Sequence, residues 1–166
     1  KSQKVENVIM EASSHGLKQN RLDGLKFNSG IFTNLSQDHL DYHKNLKNYF
    51  KAKLYLFESL IKKKGNVIVD QIIPEFKKIK KITLNKKLKL HTLNDKNRDF
   101  EVIAHRFKGE TQILTIKSNN LTRDINLNLI GKIQLKNVLM AIIAAKKSNI
   151  GLNKILNIIS KLKPVE

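Results

Sequence analysis

The sequence predicts an α/β fold: an open, mostly parallel sheet flanked by helices, with a small antiparallel β patch. Three features favour this class. Short apolar runs that end in polar, turn-forming residues are typical of buried parallel strands. Apolar residues spaced by three and four positions predict amphipathic helices. Alternating apolar and polar residues on either side of a glycine turn predict an antiparallel hairpin.

The first two predicted strands cover residues 8–10 and 31–33. Each is a short, largely apolar run, and the polar residues Glu11 and Asn34 follow directly. The carboxyl ends of parallel strands open into a crevice where ligands bind in α/β sheets. The polar segments after both strands are therefore candidate site segments.

Residues 46–61 predict an amphipathic helix, because their apolar side chains recur at three- and four-residue spacing. Lys62, Lys63, Lys64 and Gly65 are expected to end that helix. Cations stabilise the negative end of a helix dipole, and glycine is common just past a helix. Residues 67–69 then predict a third short parallel strand.

The second half of the chain predicts a weakly patterned segment, three antiparallel strands and two helices. The weakly patterned segment covers residues 74–97. The three strands cover residues 100–107, 111–117 and 124–129, and the two helices cover residues 135–147 and 152–162. The weakly patterned segment is rich in Lys and suggests a helical turn followed by a strand. Alternation on either side of Gly109 favours a hairpin for the first two antiparallel strands.

The chain is strongly basic, with 32 Lys and Arg against 14 Asp and Glu and a formal net charge of +18. This excess makes a nucleic-acid-binding module one hypothesis. Only four of the cations are arginines, and arginine is the residue that pairs bidentately with guanine. Lys, Asn and Ile are also the residues that AT-rich codons specify. We therefore favour codon bias on solvated faces over nucleic-acid recognition.

Composition excludes several classes of protein. The absence of cysteine excludes disulfide scaffolds, thiolate metal sites and a cysteine nucleophile. No apolar run reaches the roughly 18 residues of a membrane helix, and the N-terminus lacks a signal-peptide pattern. A cytoplasmic protein without membrane contact is expected. A length of 166 residues suits one domain, and because the chain does not begin with Met we expect it to start inside a larger protein.

Glu11 and His39 are candidate chemical groups with two interpretations each. A carboxylate at the end of a strand in a nucleotide-binding fold commonly holds Mg²⁺. The same carboxylate can simply cap the next helix, and Asp38 can do so as well. His39 lies among aspartates, where a histidine can bind a metal or serve as a hydrogen-bonded structural group.

Lys53 is the most unusual residue of the predicted helix 46–61. At about 100° per residue it lies near the middle of the apolar face, between Tyr49, Phe50 and Phe57. A lysine facing a core must extend to solvent, find a partner or lose its proton. A neutral amine can add CO₂ to form a carbamate, which is an anion able to bind a metal. Extension to solvent remains an equal alternative.

Two motifs resemble those of the Mur ligases. The first is Met-Glu-Ala-Ser-Ser-His-Gly-Leu at residues 10–17, followed by Gln19 and Arg21. The second is Phe-Thr-Asn-Leu-Ser-Gln-Asp-His-Leu-Asp-Tyr-His at residues 32–43, with Lys53 beyond it. Within the family they are most similar to the type that adds the third residue of the peptidoglycan stem peptide. The resemblance covers nearly the whole chain and implies an ATP-binding central domain with a P-loop-like fold.

The resemblance also implies roles for individual residues. Glu11, His39 and a carbamylated Lys53 match the Mg²⁺ ligands and catalytic groups of the family. Ser13, Gln19 and Arg21 match positions that hold the UDP-MurNAc-dipeptide substrate. Asn137 matches a residue near the adenine of ATP, within a segment that otherwise departs from the family pattern.

The implied reaction has two steps. The D-glutamate carboxylate of the substrate attacks the γ-phosphate of ATP, and the resulting acyl phosphate is opened by the amine of diaminopimelate or lysine. Such phosphoryl transfer depends on positioning and on neutralising charge. The full-length enzyme is expected to be a monomer.

Some parts of a Mur ligase have no counterpart in this sequence. The family's phosphate-binding loop, Gly-x-x-Gly-Lys-Thr-Thr, is absent from the 166 residues, as are the N-terminal UDP-binding and C-terminal amino-acid-binding domains. Residues 1–166 are therefore expected to form a single, incomplete central domain, with 162–166 as the hinge that follows it. This polypeptide alone is expected to lack activity. Another Mur or folylpolyglutamate-type ligase and an inactive remnant are the remaining alternatives.

Overall fold

A computed structural model describes the chain over most of its length. The described residues are 4–36, 39–93, 100–109, 111–118, 121–129 and 131–163. Residue Asp38, one of the suggested helix caps, and residues 164–166 of the expected hinge lie outside these ranges. None of the helices in the described ranges is long and apolar enough to cross a bilayer.

The described residues form two three-stranded sheets. The first is parallel in the order β1-β2-β3, and the second is antiparallel in the order β4-β5-β6. The strands are β1 Phe27–Phe32, β2 Ile61–Val69, β3 Lys89–Thr92, β4 Glu101–Lys108, β5 Thr111–Ser118 and β6 Leu121–Leu127. The predicted fold class, a parallel sheet with helices and a small antiparallel patch, is confirmed.

The helices follow the predicted order along the chain. They are α1 Ser14–Lys18, α2 Leu40–His43, α3 Leu46–Tyr55, α4 Phe76–Asn85, α5 Lys132–Lys147 and α6 Leu152–Ile159. A π-helical turn, Leu56–Leu60, continues α3 directly into β2. The weakly patterned segment becomes α4 and β3, as a helical turn followed by a strand. The last helix is three residues shorter than predicted, and β6 lies slightly earlier in the chain than residues 124–129.

The predicted strand at residues 8–10 is wrong. Residues 4–13 have no regular secondary structure, and Ile9 is 98% exposed. A strand needs a neighbour to receive its backbone hydrogen bonds, and no strand of the described ranges pairs with this segment. An apolar run alone therefore does not make a strand here.

The predicted helix end at residues 62–65 is also wrong. These residues lie inside β2, where the pairing with β1 shifts between Phe27 and Ser29. Lys64 has a φ of 61°, which is consistent with a bulge in the strand. Gly65 is buried because the strand passes close to its neighbours, not because a helix stops there. Cations and glycine suit a strand bulge as well as a helix end.

Two hydrophobic clusters hold the described elements together. One packs α1, α3 and α4 around β1 and β2, with Phe57 and Val67 at its centre. The other joins α5 and α6 to the antiparallel sheet and reaches Ile68 of β2. Because Val67 and Ile68 belong to different clusters, β2 is covered on both faces, as a parallel strand should be. The loops after β1 and β2 are therefore held on a rigid base.

Gly65 offers a test of this packing. A methyl group there would lie 2.6 Å from Ile61 Cγ2, 2.8 Å from the Lys62 carbonyl oxygen and 2.9 Å from the Asn28 carbonyl oxygen. Backbone oxygens cannot rotate away, so Gly65→Ala should lower the free energy of unfolding by about 1–3 kcal/mol, the usual cost of overpacking. Urea denaturation measures the change.

Gly151→Ala is the matched control, because a methyl group there meets nothing within 4 Å. Only the preference for glycine at a helix N-cap is lost, at a cost below about 1 kcal/mol. Equal losses of stability in the two variants would contradict the close approach at Gly65.

Candidate functional site

The two motif segments lie against each other and against α3. Ser14 begins α1, His43 ends α2, and their side chains are joined by a hydrogen bond of 3.0 Å between Ser14 Oγ and His43 Nε2. Both residues are buried. A second bond, of 3.1 Å, runs from Gln19 Nε2 to the Tyr42 hydroxyl oxygen. The structure thus brings together residues that are far apart in the sequence.

Ser13 and Gln19 flank α1. Ser13 is its N-cap, and the Ser13 hydroxyl accepts a hydrogen bond of 3.1 Å from the Gly16 backbone N–H. This is the ordinary role of serine at a helix start. It leaves the hydroxyl hydrogen of Ser13 free to donate to a ligand. Gln19 is the C-cap and is exposed, with its side-chain amide directed to Tyr42.

Glu11 and Arg21 are both exposed. Among the described residues neither side chain makes a hydrogen bond or an ion pair. Glu11 lies in the irregular segment before Ser13, so it does not cap α1 itself. Arg21 lies in the turn after α1, where its backbone N–H donates to the Gly16 carbonyl at 2.9 Å. Both charges are accessible to a ligand.

His39 occupies an unusual backbone position. It precedes α2 with a φ of 59°, in the left-handed region, which non-glycine residues seldom adopt. Its ring is exposed and lies edge-on to two others, 4.9 Å from His15 and 6.0 Å from Tyr49 between ring centroids. Strained backbone of this kind is common at functional sites.

Lys53 projects from α3 toward the end of β1. Its Nζ donates a hydrogen bond of 2.7 Å to the Asn34 carbonyl oxygen. Nζ also lies 4.8 Å from the centroid of the Tyr49 ring and 5.5 Å from that of Phe32. A carbonyl oxygen and aromatic faces stabilise an ammonium group. Lys53 therefore has a hydrogen-bond partner and aromatic contacts, which is one of the three outcomes expected for a lysine that faces the core.

His43 is fully buried at the centre of this cluster. Burial lowers the pKa of His43 below its ordinary value of 6.5, and electrostatic interactions with Lys18, His15 and His39 lower it further. Its ring stacks on Tyr49, with centroids 5.1 Å apart and an interplanar angle of 22°. The Nδ1 atom is buried and has no hydrogen-bond partner among the described residues. The imidazole is thus held in its neutral form.

The donor set determines whether a magnesium ion fits. Across the described ranges, no group of three His, Asp or Glu side chains could hold a metal ion. Glu11 and His39 supply two possible donors, and an ammonium group on Lys53 supplies none. Mg²⁺ prefers oxygen ligands and usually keeps several waters beside one or two carboxylates. Glu11 alone offers a carboxylate of the kind that Mg²⁺ prefers, and a carbamate on Lys53 would add a second oxygen-bearing group.

Asn137 lies in the second turn of α5 and is half-buried. No contact in the described ranges joins it to the other candidates. The neighbouring Lys136 forms an ion pair of 2.7 Å with Asp70, whose side chain is 3% exposed. Asp70 directly follows β2 and also accepts a hydrogen bond from the Ile72 backbone N–H at 3.1 Å. This pair anchors the start of α5 to the end of β2.

Sequence reasoning missed several residues of the site. Tyr49 contacts His39, His43 and Lys53, yet its spacing marked it only as part of an apolar helix face. Asp70 carries the signal that singled out Glu11, an acidic residue directly after a strand. The pairing of Ser14 with His43 had no signal in the sequence.

Three comparisons with known proteins bear on this arrangement. A family described as the Mur ligase middle domain matches residues 1–145. A relative in Leptospira interrogans, named UDP-N-acetylmuramoyl-L-alanyl-D-glutamate–2,6-diaminopimelate ligase, is 33% identical over 170 residues, which cover 99% of this chain and 33% of the relative. A protein of the same name in Rickettsia typhi is 34% identical over 162 residues, covering 98% of this chain and 33% of the relative. The chain spans about a third of the length of these relatives.

Solved structures show the same fold. A structure of a UDP-N-acetylmuramoyl-L-alanyl-D-glutamate–2,6-diaminopimelate ligase superposes with a TM-score of 0.78 at 26% identity, covering 93% of this chain and 32% of that one. MurF from Thermotoga maritima, in complex with ADP, superposes with a TM-score of 0.68 at 10% identity, covering 93% of this chain and 34% of that one. The second likeness concerns the fold alone.

The buried imidazole predicts a pH dependence of stability. Because the pKa of His43 is lower in the folded protein than in the unfolded chain, the unfolded chain binds more protons between the two values. The contribution of His43 is fully present above about pH 6.5 and is lost as the pH falls toward the folded-state pKa. Urea denaturation from about pH 7.5 to about pH 5.5 should show this loss, and His43→Phe should show a shallower slope.

Tyr42→Phe is the matched control for this measurement. It changes a neighbouring ring but keeps every histidine, so its pH slope should equal that of the unchanged protein. An unchanged slope in His43→Phe would contradict the assignment of the pH dependence to His43.

Proposed function

The chain belongs to the Mur ligase middle domain family, and from this membership we propose that it forms the ATP-binding central domain of a ligase acting on UDP-N-acetylmuramoyl-L-alanyl-D-glutamate. That ligase adds the third amino acid of the peptidoglycan stem peptide. The observation that carries the proposal is the convergence of the two motif segments, with His39 and Lys53 against the same Tyr49 ring. The names of the relatives from Leptospira interrogans and Rickettsia typhi support the choice of substrate.

The proposed reaction forms an amide bond through an acyl phosphate. A carboxylate oxygen of the substrate's D-glutamate bonds to the γ-phosphorus of ATP, and ADP leaves. The amine of the incoming amino acid then bonds to the acyl carbon, inorganic phosphate leaves and the amine loses a proton. The protein's contribution to such transfer is positioning and stabilisation of negative charge.

Glu11, His39 and carbamylated Lys53 are the proposed Mg²⁺ ligands. A bound Mg²⁺ neutralises developing charge on the phosphoryl oxygens. Carbamylation requires Lys53 to give up its contacts with Asn34 and Tyr49, because those contacts stabilise a cation. The carbamate would then be free to turn toward His39 and Glu11. CO₂ uptake and departure from the carbonyl of Asn34 are thus coupled in this proposal.

Ser13, Gln19 and Arg21 are the proposed contacts of the UDP-MurNAc-dipeptide. The accessible guanidinium of Arg21 suits an anionic substrate, since arginine binds carboxylates and phosphates bidentately. The free hydroxyl hydrogen of Ser13 can donate to the same ligand. Gln19 must exchange or share its bond to Tyr42. Tyr42 therefore holds Gln19 in place until substrate arrives.

Asn137 is the proposed contact of the adenine ring, and the Asp70–Lys136 ion pair fixes the helical turn that carries it. Diaminopimelate is the favoured incoming amino acid because it stands in the names of the relatives, with lysine as the alternative. We place the enzyme in the cytoplasm and expect a monomer. We propose that residues 1–166 form one incomplete central domain.

Carbamylation of Lys53 can be tested directly. With ¹³C-bicarbonate and Mg²⁺ present, we expect the chain to show a carbamate signal in ¹³C NMR that disappears in Lys53→Arg, because a guanidinium does not form the carbamate. Lys51→Arg is the matched control: it changes an exposed lysine of the same helix and should keep the signal. Absence of any signal that depends on Lys53 would overturn the carbamate.

Substrate recognition can be tested by binding. Because the chain contains no Gly-x-x-Gly-Lys-Thr-Thr loop, binding rather than turnover is the suitable measurement. Arg21→Gln should weaken the binding of UDP-MurNAc-dipeptide by about 10-fold or more, since a hydrogen bond to a charged group contributes about 1.5–3 kcal/mol. Isothermal titration measures the dissociation constant.

Arg123→Gln, at an exposed arginine of β6, is the control for this binding measurement and should leave the affinity unchanged. If the two variants weaken binding equally, the guanidinium of Arg21 is not a specific contact and the assignment fails.

A further inference from the structure

One aromatic ring links the candidate residues of the site. The Tyr49 ring is 4% exposed and contacts the His43 ring, the His39 ring and the Lys53 ammonium group. We call these residues together with Ser14 the Tyr49 cluster. His39 and Lys53 come from different elements, and this ring is their shared contact. A displacement of Tyr49 would therefore disturb both.

The His43 side chain determines where the Tyr49 ring can lie. The two rings stack with centroids 5.1 Å apart and an interplanar angle of 22°, so the imidazole covers a face of the phenol. The imidazole is itself held by the 3.0 Å hydrogen bond to Ser14 Oγ. Because His43 Nδ1 has no hydrogen-bond partner in the part of the chain that the structure describes, the bond to Ser14 is the side-chain polar contact that orients the ring there.

A contribution to folding stability alone does not explain the buried hydrogen bond between Ser14 and His43. A buried nitrogen without a partner costs about 1–3 kcal/mol, whereas two apolar groups of the same shape would avoid that cost. Orientation gives a better account, since a hydrogen bond specifies the angle of a ring more narrowly than apolar packing does. The pair also ties the segment that carries Glu11 and Ser13 to the end of α2.

We propose that Ser14 and His43 are positioning residues, whose buried hydrogen bond orients the Tyr49 ring and thereby sets the placement of His39 and Lys53. This inference rests on the proposed function for its biological meaning. Neither residue is assigned a contact with substrate, nucleotide or metal. Ser14 acts through His43, and His43 acts through Tyr49.

NMR of the chain tests the positioning directly. The Tyr49 ring current should shift the ε-methylene protons of Lys53 and the imidazole protons of His39. In Ser14→Ala we expect both sets of protons to lose at least half of that shift, because the imidazole is no longer held and the Tyr49 ring moves. A residue that only supported stability would leave these signals in place in the folded variant.

Thr83→Val is the matched control. Thr83 is a buried residue of α4 whose hydroxyl donates a hydrogen bond of 2.8 Å to the Ile79 carbonyl, and neither Thr83 nor Ile79 belongs to the Tyr49 cluster. Loss of the Thr83 hydroxyl should leave the Lys53 and His39 signals unchanged. If Ser14→Ala fails to fold, the double variant Ser14→Ala with His43→Phe removes both partners without leaving an unpaired polar group. The same loss of shift is expected there.

Retention of the Lys53 and His39 shifts in folded Ser14→Ala, or in the double variant, would overturn the positioning role. The readout needs no CO₂, Mg²⁺ or nucleotide, so it is separate from the proposed chemistry. A chain without a Lys53 carbamate but with shifts that depend on Ser14 would refute the carbamate and support the positioning role. A chain with a Lys53 carbamate but with shifts that do not depend on Ser14 would support the carbamate and refute the positioning role.

Discussion

The buried contact between Ser14 and His43 is the constraint on which the candidate site depends. The two residues stand 29 positions apart, one at the start of α1 and the other at the end of α2. Neither helix is long enough to be stable alone, so both depend on packing against α3. With the contact in place, the loops after the irregular first segment and after β1 meet over one face of α3. The parallel sheet supports these loops, and the hydrogen bond between Ser14 and His43 fixes the orientation of the His43 ring.

Charge in the site follows from that arrangement. Burial lowers the pKa of His43 and favours its neutral form, so the His43 ring adds no positive charge beside Lys53. Lys53 keeps its charge partners in Asn34 and two aromatic rings. Conversion of Lys53 to an anionic carbamate must therefore offset the free energy that is lost with those contacts. A cation beside the site would supply that energy, so the proposed metal binding and the proposed carbamylation would each favour the other.

Local patterns predicted the helices and the hairpin well, because their periodicity lies in neighbouring residues. The strand at residues 8–10 was predicted wrongly, since an apolar run becomes a strand only with a partner, and pairing is not a local property. The lysines at 62–64 were assigned to a helix end because charge patterns do not distinguish a dipole from a bulge. The motifs identified His39 and Lys53 as candidates, but the contact between Ser14 and His43 joins common residue types over a long separation and carries no pattern.

Glu11 and Asp70 show why a signal for function needs its surroundings. Both are acids directly after apolar runs, and that feature alone gives no reason to treat them differently. Asp70 is buried and neutralised by Lys136, and breaking a buried pair leaves a charge without compensation. The Asp70 carboxylate therefore has a structural role, because it pairs with Lys136 of α5. Glu11 is exposed and unpaired within the described part of the chain, so its charge remains available. Availability, rather than position after an apolar run, separates a candidate ligand from a structural acid.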